Sequence, residues 1–138
     1  GGEKKKVAIA DILAMEPELI IFDEPTAALD PVNARMLEQV LRTLEQEGKT
    51  ILLSTHDVDF AWRFADRILL LQEGRLIADD RPEVIFRNSG LLRQTNLTRP
   101  MLLQVWDELV SRGSVSAGEP PRDFDSFRRQ LDGKGAGK

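Results

Sequence analysis

The sequence predicts an α/β fold with a mostly parallel sheet, and three observations carry that prediction. Two short apolar runs, residues 19–22 (Leu-Ile-Ile-Phe) and Thr50–Ser54, have the length and composition of buried strands. Segments with apolar residues at helical spacing precede and follow them. Two further strand-like runs, 67–72 and 75–78, are separated only by Glu73-Gly74 and read as a hairpin. The resulting order α-β-α-β-α-β-β is that of a parallel sheet with an antiparallel edge.

Taken in order, residues 4–15 carry Val7, Ile9, Ala10, Ile12, Leu13 and Met15 on one broad side of a predicted helix. Pro17 ends it, because proline disfavours helical geometry in the residue before it. The run 19–22 is expected to be a central strand covered on both faces, stopping abruptly at Asp23-Glu24-Pro25. Asp30-Pro31 reads as an N-cap with proline at the first helical position. Val32, Met36, Leu37, Val40, Leu41 and Leu44 continue that helix until Gly48 stops it. Thr50–Ser54 is the second buried strand. Thr55-His56-Asp57 follows, then a short helix over 58–65 with Phe60, Ala61, Trp62 and Phe64 available for packing. Trp62 and Trp106 are expected in a core or an interface. Beyond Arg81 the character changes to short helices at 82–87 and 100–112 without strands between them. Residues 111–122 read as a linker and 133–138 as disordered.

The bulk properties exclude several classes. With 41% hydrophobic and 30% charged residues, the 138-residue chain is too apolar for a disordered protein and large enough for one domain with a core. A net charge of -4 implies no general attraction to nucleic acid or anionic lipid. The absence of cysteine excludes a disulfide framework, thiolate metal ligation and cysteine catalysis, and one histidine excludes a multi-histidine site. No apolar run approaches the ~18 residues of a membrane span. The opening Gly-Gly-Glu-Lys-Lys-Lys has no signal-peptide pattern; the first residue is not Met, and the chain is expected to be a fragment.

The strongest chemical signal is an apolar strand ending in two adjacent carboxylates. In a parallel α/β sheet, ligands bind outside the carboxyl ends of the strands. There Asp23 would hold Mg²⁺, directly or through water, and Glu24 would orient and polarise an attacking water. The bland alternative is a strand that ends in a solvated acidic turn.

These residues and their neighbours resemble the ATP-binding subunits of ABC transporters. Residues 19–24 look like the Walker B motif with its catalytic glutamate, and 27–30 like the D-loop. Ser54-Thr55-His56-Asp57 is similar to the switch loop, whose histidine, here His56, contacts the γ-phosphate. Gly1-Gly2-Glu3 looks like the end of the Leu-Ser-Gly-Gly-Gln/Glu signature, followed by its helix. Four motifs in the right order span residues 1–87, so the resemblance is specific.

It implies the C-terminal part of a P-loop NTPase domain over 1–87, a helical extension over 88–112 and a flexible tail over 113–138. It further implies ATP and Mg²⁺ as cofactors, a second ATPase subunit in a head-to-tail dimer, integral membrane permease partners, and a peripheral location on the cytoplasmic face of the membrane. Gly1, Gly2 and Glu3 would grip ATP bound to the opposite subunit, since amide groups at a helix start favour anions. Asp30 has two compatible readings: a helix cap, and, by resemblance, a link between the two nucleotide sites. Lys4-Lys5-Lys6 reads first as a solvated helix face. Segments 81–86, 91–97 and 100–103 resemble the extension of cobalt/nickel and energy-coupling-factor importer ATPases.

No Gly-x-x-x-x-Gly-Lys-Ser/Thr occurs in the sequence. Gly48-Lys49-Thr50 matches only the end of that motif; position 43 is Thr where the first glycine is required, and these residues run from helix to strand instead of strand to helix. The adenine-stacking aromatic, the glutamine loop and the signature Leu-Ser are also absent. The chain alone is therefore expected neither to bind ATP tightly nor to hydrolyse it, and its strands to lack sheet partners. Two alternatives stay open: a non-transport ABC ATPase acting in DNA repair or translation, and a truncated non-catalytic partner of a full-length subunit.

Overall fold

Residues 10–11 and 13–135 are described by a computed structural model, which divides into two units, Gly1–His56 and Asp57–Lys138.

In the first unit, Ala10, Asp11, Leu13 and Ala14 are helical, and the amide of Glu16 closes the turn on the Leu13 carbonyl at 3.0 Å. Strand β1 (Leu19–Asp23) runs parallel to β2 (Thr50–Ser54), with Leu19 opposite Thr50 and Asp23 opposite Ser54. Helix α1 (Pro31–Gln46) connects them and packs on β2. Leu37, Leu41 and Leu44, spaced four and three apart, form its buried stripe. Gly48 ends this segment with φ 83°, a left-handed conformation that a Cβ disfavours, and the Lys49 amide closes on the Leu44 carbonyl at 3.0 Å. The Gly-Lys-Thr triplet is therefore a helix stop and a strand start.

One expectation is corrected here. The central strand was expected to be covered on both faces, yet only Ile20 is buried, while Leu19, Ile21 and, on β2, Leu52 are exposed. Side chains alternate across a strand, so a pair covered by one helix buries only one face.

The second unit opens with α2 (Val58–Phe64), capped by Asp57, whose carboxylate accepts the Phe60 amide at 2.9 Å. Strands β3 (Ile68–Gln72) and β4 (Arg75–Asp80) form the expected hairpin, turning through Glu73 and Gly74 with φ 50° and 73°. Positive φ at both central residues matches the right-handed strand twist. This hairpin forms a two-stranded sheet of its own.

Helices α3 (Pro82–Arg87), α4 (Ser89–Thr95), α5 (Met101–Ser111) and α6 (Phe124–Gly135) follow. The core of this unit is built on Trp62, Leu70, Ile85, Phe86, Leu92 and Leu103. Trp106 is also buried, and meets Phe127 edge-on at 6.5 Å.

A second correction concerns residues 113–138, expected as a flexible tail. Within it Val115, Pro120 and Pro121 are buried, and 124–135 are helical. Asp123 supplies the local reason: its carboxylate accepts the Ser126 amide at 2.7 Å, while its own amide donates to the Ser126 hydroxyl at 3.2 Å. That reciprocal arrangement starts a helix, and Phe127 anchors it on Trp106.

Candidate functional site

A parallel pair brings the carboxyl ends of both strands to one edge, so residues at and just after those ends share a site. Asp23 is the last residue of β1 and Ser54 the last of β2, and they are register partners. The Ser54 hydroxyl donates to Asp23 Oδ1 at 2.5 Å. The chain then reverses at Glu24, whose φ of 46° lies in the left-handed region. For a residue with a Cβ this conformation costs about 1–2 kcal/mol. It is held there because the Glu24 amide is shared between the Ser54 carbonyl at 3.0 Å and the Ser54 hydroxyl oxygen at 3.1 Å.

His56, two residues past β2, sets Nε2 3.4 Å from Glu24 Oε1. The imidazole is 93% exposed and the Glu24 side chain 33%. The pair therefore presents an open imidazole beside a half-covered carboxylate. Three of the sequence-predicted residues, Asp23, Glu24 and His56, thus meet at one strand edge. Ser54 joins them, although the sequence reading gave it no role of its own. The available signal was its chemistry: a hydroxyl at the strand end preceding the histidine can both donate and accept.

Asp30 is occupied otherwise. Its Oδ1 accepts the Asn33 amide at 2.9 Å and its Oδ2 accepts the Asn33 side-chain amide at 2.6 Å. The Asn33 backbone amide, then its side chain, hold the Asp30 carboxyl below its ordinary value. This is the helix-cap reading; among the described residues Asp30 makes no link to the other three. Between them, the Ala27 amide returns to the Glu24 carbonyl at 3.1 Å, and Ala28 adopts φ 62°. Gly1, Gly2 and Glu3, and the Lys4-Lys5-Lys6 run, lie outside the described residues.

Among the described residues no group of three or more His, Cys, Asp or Glu could cage a metal. Asp23 is exposed, with Oδ1 engaged by Ser54 and Oδ2 without a hydrogen-bond partner among the described residues. A single exposed carboxylate of this kind fits Mg²⁺, which binds through one or two carboxylates, water and substrate phosphates instead of an all-protein cage.

No protein-family model matches the chain. It is 49% identical over 122 residues to the energy-coupling factor transporter ATP-binding protein EcfA2 of Methanospirillum hungatei JF-1, a match covering 88% of this chain and 31% of that protein. Among solved structures it is similar to CbiO1 of Clostridium perfringens, part of an ABC transporter complex, with a TM-score of 0.57 and 38% identity over 75% of this chain and 41% of that one. It is also similar to the ATP-binding cassette MJ0796, solved as a dimer in a post-hydrolysis state with ADP and Pi. The TM-score there is 0.53 and the identity 39%, over 59% of this chain and 35% of that one. The chain spans half or less of the length of the curated relatives it matches. In sequence and in fold, the chain matches a part of the ATP-binding subunits of ABC transporters.

Proposed function

We propose that this chain contributes the metal- and water-positioning residues of an ATP-hydrolysing site that drives an ABC transporter. The observation that carries the reading is the meeting of Asp23, Glu24 and His56 at the carboxyl edge of a parallel strand pair. Asp23 would hold Mg²⁺, which when bound neutralises charge developing on the phosphates. Glu24 orients the attacking water and takes up its proton. His56, with its ring in solvent and Nε2 toward Glu24, hydrogen-bonds a γ-phosphate oxygen and registers its departure.

The phosphate-cradling loop is not encoded within these 138 residues. Hydrolysis therefore needs a P-loop supplied from outside them, and the 138-residue chain by itself is expected to be inactive. Gly1, Gly2 and Glu3 are proposed to grip ATP on a second ATPase subunit, with Asp30 near the interface. The dimeric state of the ADP- and Pi-bound neighbour supports pairing with a second ATPase subunit; the head-to-tail arrangement is what the motif resemblance implies.

The further partners would be integral membrane permease subunits, with this subunit peripheral on the cytoplasmic face. No described helix is long and apolar enough to cross a membrane. The names of the relatives support the energy-coupling-factor class, while import with cobalt or nickel as cargo rests on the resemblance of segments 81–86, 91–97 and 100–103.

The test is ATP turnover by the ATPase assembly containing this chain, comparing wild type with Glu24→Gln. A loss of about 10²–10⁴-fold is expected when a positioned general base is removed. Turnover equal to wild type would overturn the assignment.

A further inference from the structure

We propose that Ser54 is a positioning residue for this site, acting through Asp23 and Glu24 at once; the inference rests on the ATPase reading above. A serine hydroxyl offers one donor and two acceptor positions. Here it spends the donor on Asp23 Oδ1 at 2.5 Å and accepts the Glu24 amide at 3.1 Å. These are adjacent residues with different tasks, and the two bonds fix different things.

The first bond restricts rotation of the Asp23 carboxylate and occupies one of its oxygens, so that Oδ2 would be the oxygen available to a metal ion. The second holds the left-handed reversal at Glu24, where φ is 46°. That reversal sets where the Glu24 carboxylate stands relative to β1 and His56. An apolar residue at position 54 could keep the strand and its backbone carbonyl but would lose both contacts. The hydroxyl sits at the register partner of Asp23, so its bond to that carboxylate bridges the two strands.

The effect belongs on the chemical step and on metal use, not on nucleotide affinity. Removing an outer-shell partner of a metal-binding carboxylate typically costs about 10–100-fold in metal affinity or activity. In the ATPase assembly, Ser54→Ala is expected to lower kcat about 10-fold, with a matching rise in the Mg²⁺ concentration for half-maximal turnover. KM for ATP should stay near the wild-type value. Ser54→Thr, which keeps the hydroxyl, should restore both quantities.

A readout independent of turnover is amide hydrogen exchange in nucleotide-free protein. The Glu24 amide should exchange severalfold faster in Ser54→Ala and return to its original rate in Ser54→Thr, while the amides of Ile20 and Ile51 within the strand pair keep theirs. Unchanged kcat and Mg²⁺ dependence in Ser54→Ala would overturn the proposal, as would a loss that Ser54→Thr fails to restore. An unaltered Glu24 exchange rate would overturn it as well. Glu24→Gln separates the two readings: if it hydrolyses ATP like wild type, the ATPase assignment falls and this role with it. If it is inactive while Ser54→Ala is unimpaired, only the role of Ser54 falls.

Discussion

The guanidinium of Arg122 lies 4.5 Å from the centroid of the Trp62 ring, and its Nη1 donates to the Trp62 carbonyl at 2.7 Å. Nη2 donates to the Ala65 carbonyl at 3.1 Å, while Trp62 Nε1 donates back to the Pro121 carbonyl at 2.9 Å. One arginine thus satisfies carbonyls at the end of α2 that have no partner within the helix, and the pair ties the segment before α6 to the core. Such charge-assisted bonds with a stacked ring make Arg122→Ala destabilising by about 2 kcal/mol. Trp62→Phe keeps the ring packing but strands the Pro121 carbonyl, with a smaller cost of about 1 kcal/mol. Denaturant unfolding followed by tryptophan fluorescence for the first variant, and by circular dichroism for both, checks the ranking. An Arg122→Ala midpoint equal to wild type would mean that the strap contributes nothing.

This strap marks where sequence reasoning stopped. The composition of residues 111–122 is that of a linker, because Gly, Ser and Pro favour turns locally. Their burial depends on Pro121 and Arg122 meeting Trp62, about sixty positions away, and local composition carries no trace of that. The strand-end carboxylates were legible for the opposite reason. Asp23 and Glu24 break an apolar run at a position where topology alone creates a site. The Ser54 bridge lay between these cases: its residue type was visible, but its register opposite Asp23 required the strand pairing. Coverage of both strand faces was over-predicted, because the apolar run records what a strand is suited to bury. It does not say whether these 138 residues supply the covering layer.

The start of α1 is pH-dependent through Asp30. Its folded-state carboxyl titrates below the ordinary value of 3.8, chiefly because the Asn33 amide bonds the charged form. A depressed folded value means that the stabilisation is fully present above the ordinary carboxylate range. It is lost as pH falls through the folded value. Asp79, held down by the Arg67 guanidinium, titrates in the same direction. Stability measured from pH 6 to pH 2 should therefore fall below about pH 4. The Asp30→Asn variant should keep most of the cap at neutral pH and show a shallower acid decline. An identical acid profile in the two proteins would remove Asp30 from the account.

Two left-handed residues flank the site turn, Glu24 at φ 46° and Ala28 at φ 62°. Glycine adopts this conformation without the Cβ clash, so Ala28→Gly is expected to stabilise the chain by about 1 kcal/mol. At position 24, glycine should be more stable than alanine by a similar ~1 kcal/mol, although both abolish the carboxylate. The comparison isolates backbone strain from chemistry, because turnover is lost equally in the two variants. Equal unfolding free energies for Glu24→Gly and Glu24→Ala would show that the turn carries no strain that depends on the side chain.

The uncovered face of the parallel pair has its own consequence. Ile21 is 66% exposed and Leu52 46%; they are register partners on neighbouring strands, two residues before Asp23 and Ser54. A two-stranded sheet with open edges and an apolar face invites pairing with another copy. The 138-residue chain should therefore self-associate with rising concentration, seen as growing mass by light scattering. Replacing either residue by lysine should suppress that association, because a charged side chain on this face blocks strand addition and solvates the patch. Neither substitution should change the melting temperature much, since neither side chain is buried. In the ATPase assembly the same lysine variants should behave in the opposite sense. If a further layer of the ATPase domain covers Ile21 there, a buried unpaired charge would cost several kcal/mol and the assembly would be destabilised. Unimpaired folding of the assembly with Ile21→Lys would mean that this face stays in solvent throughout.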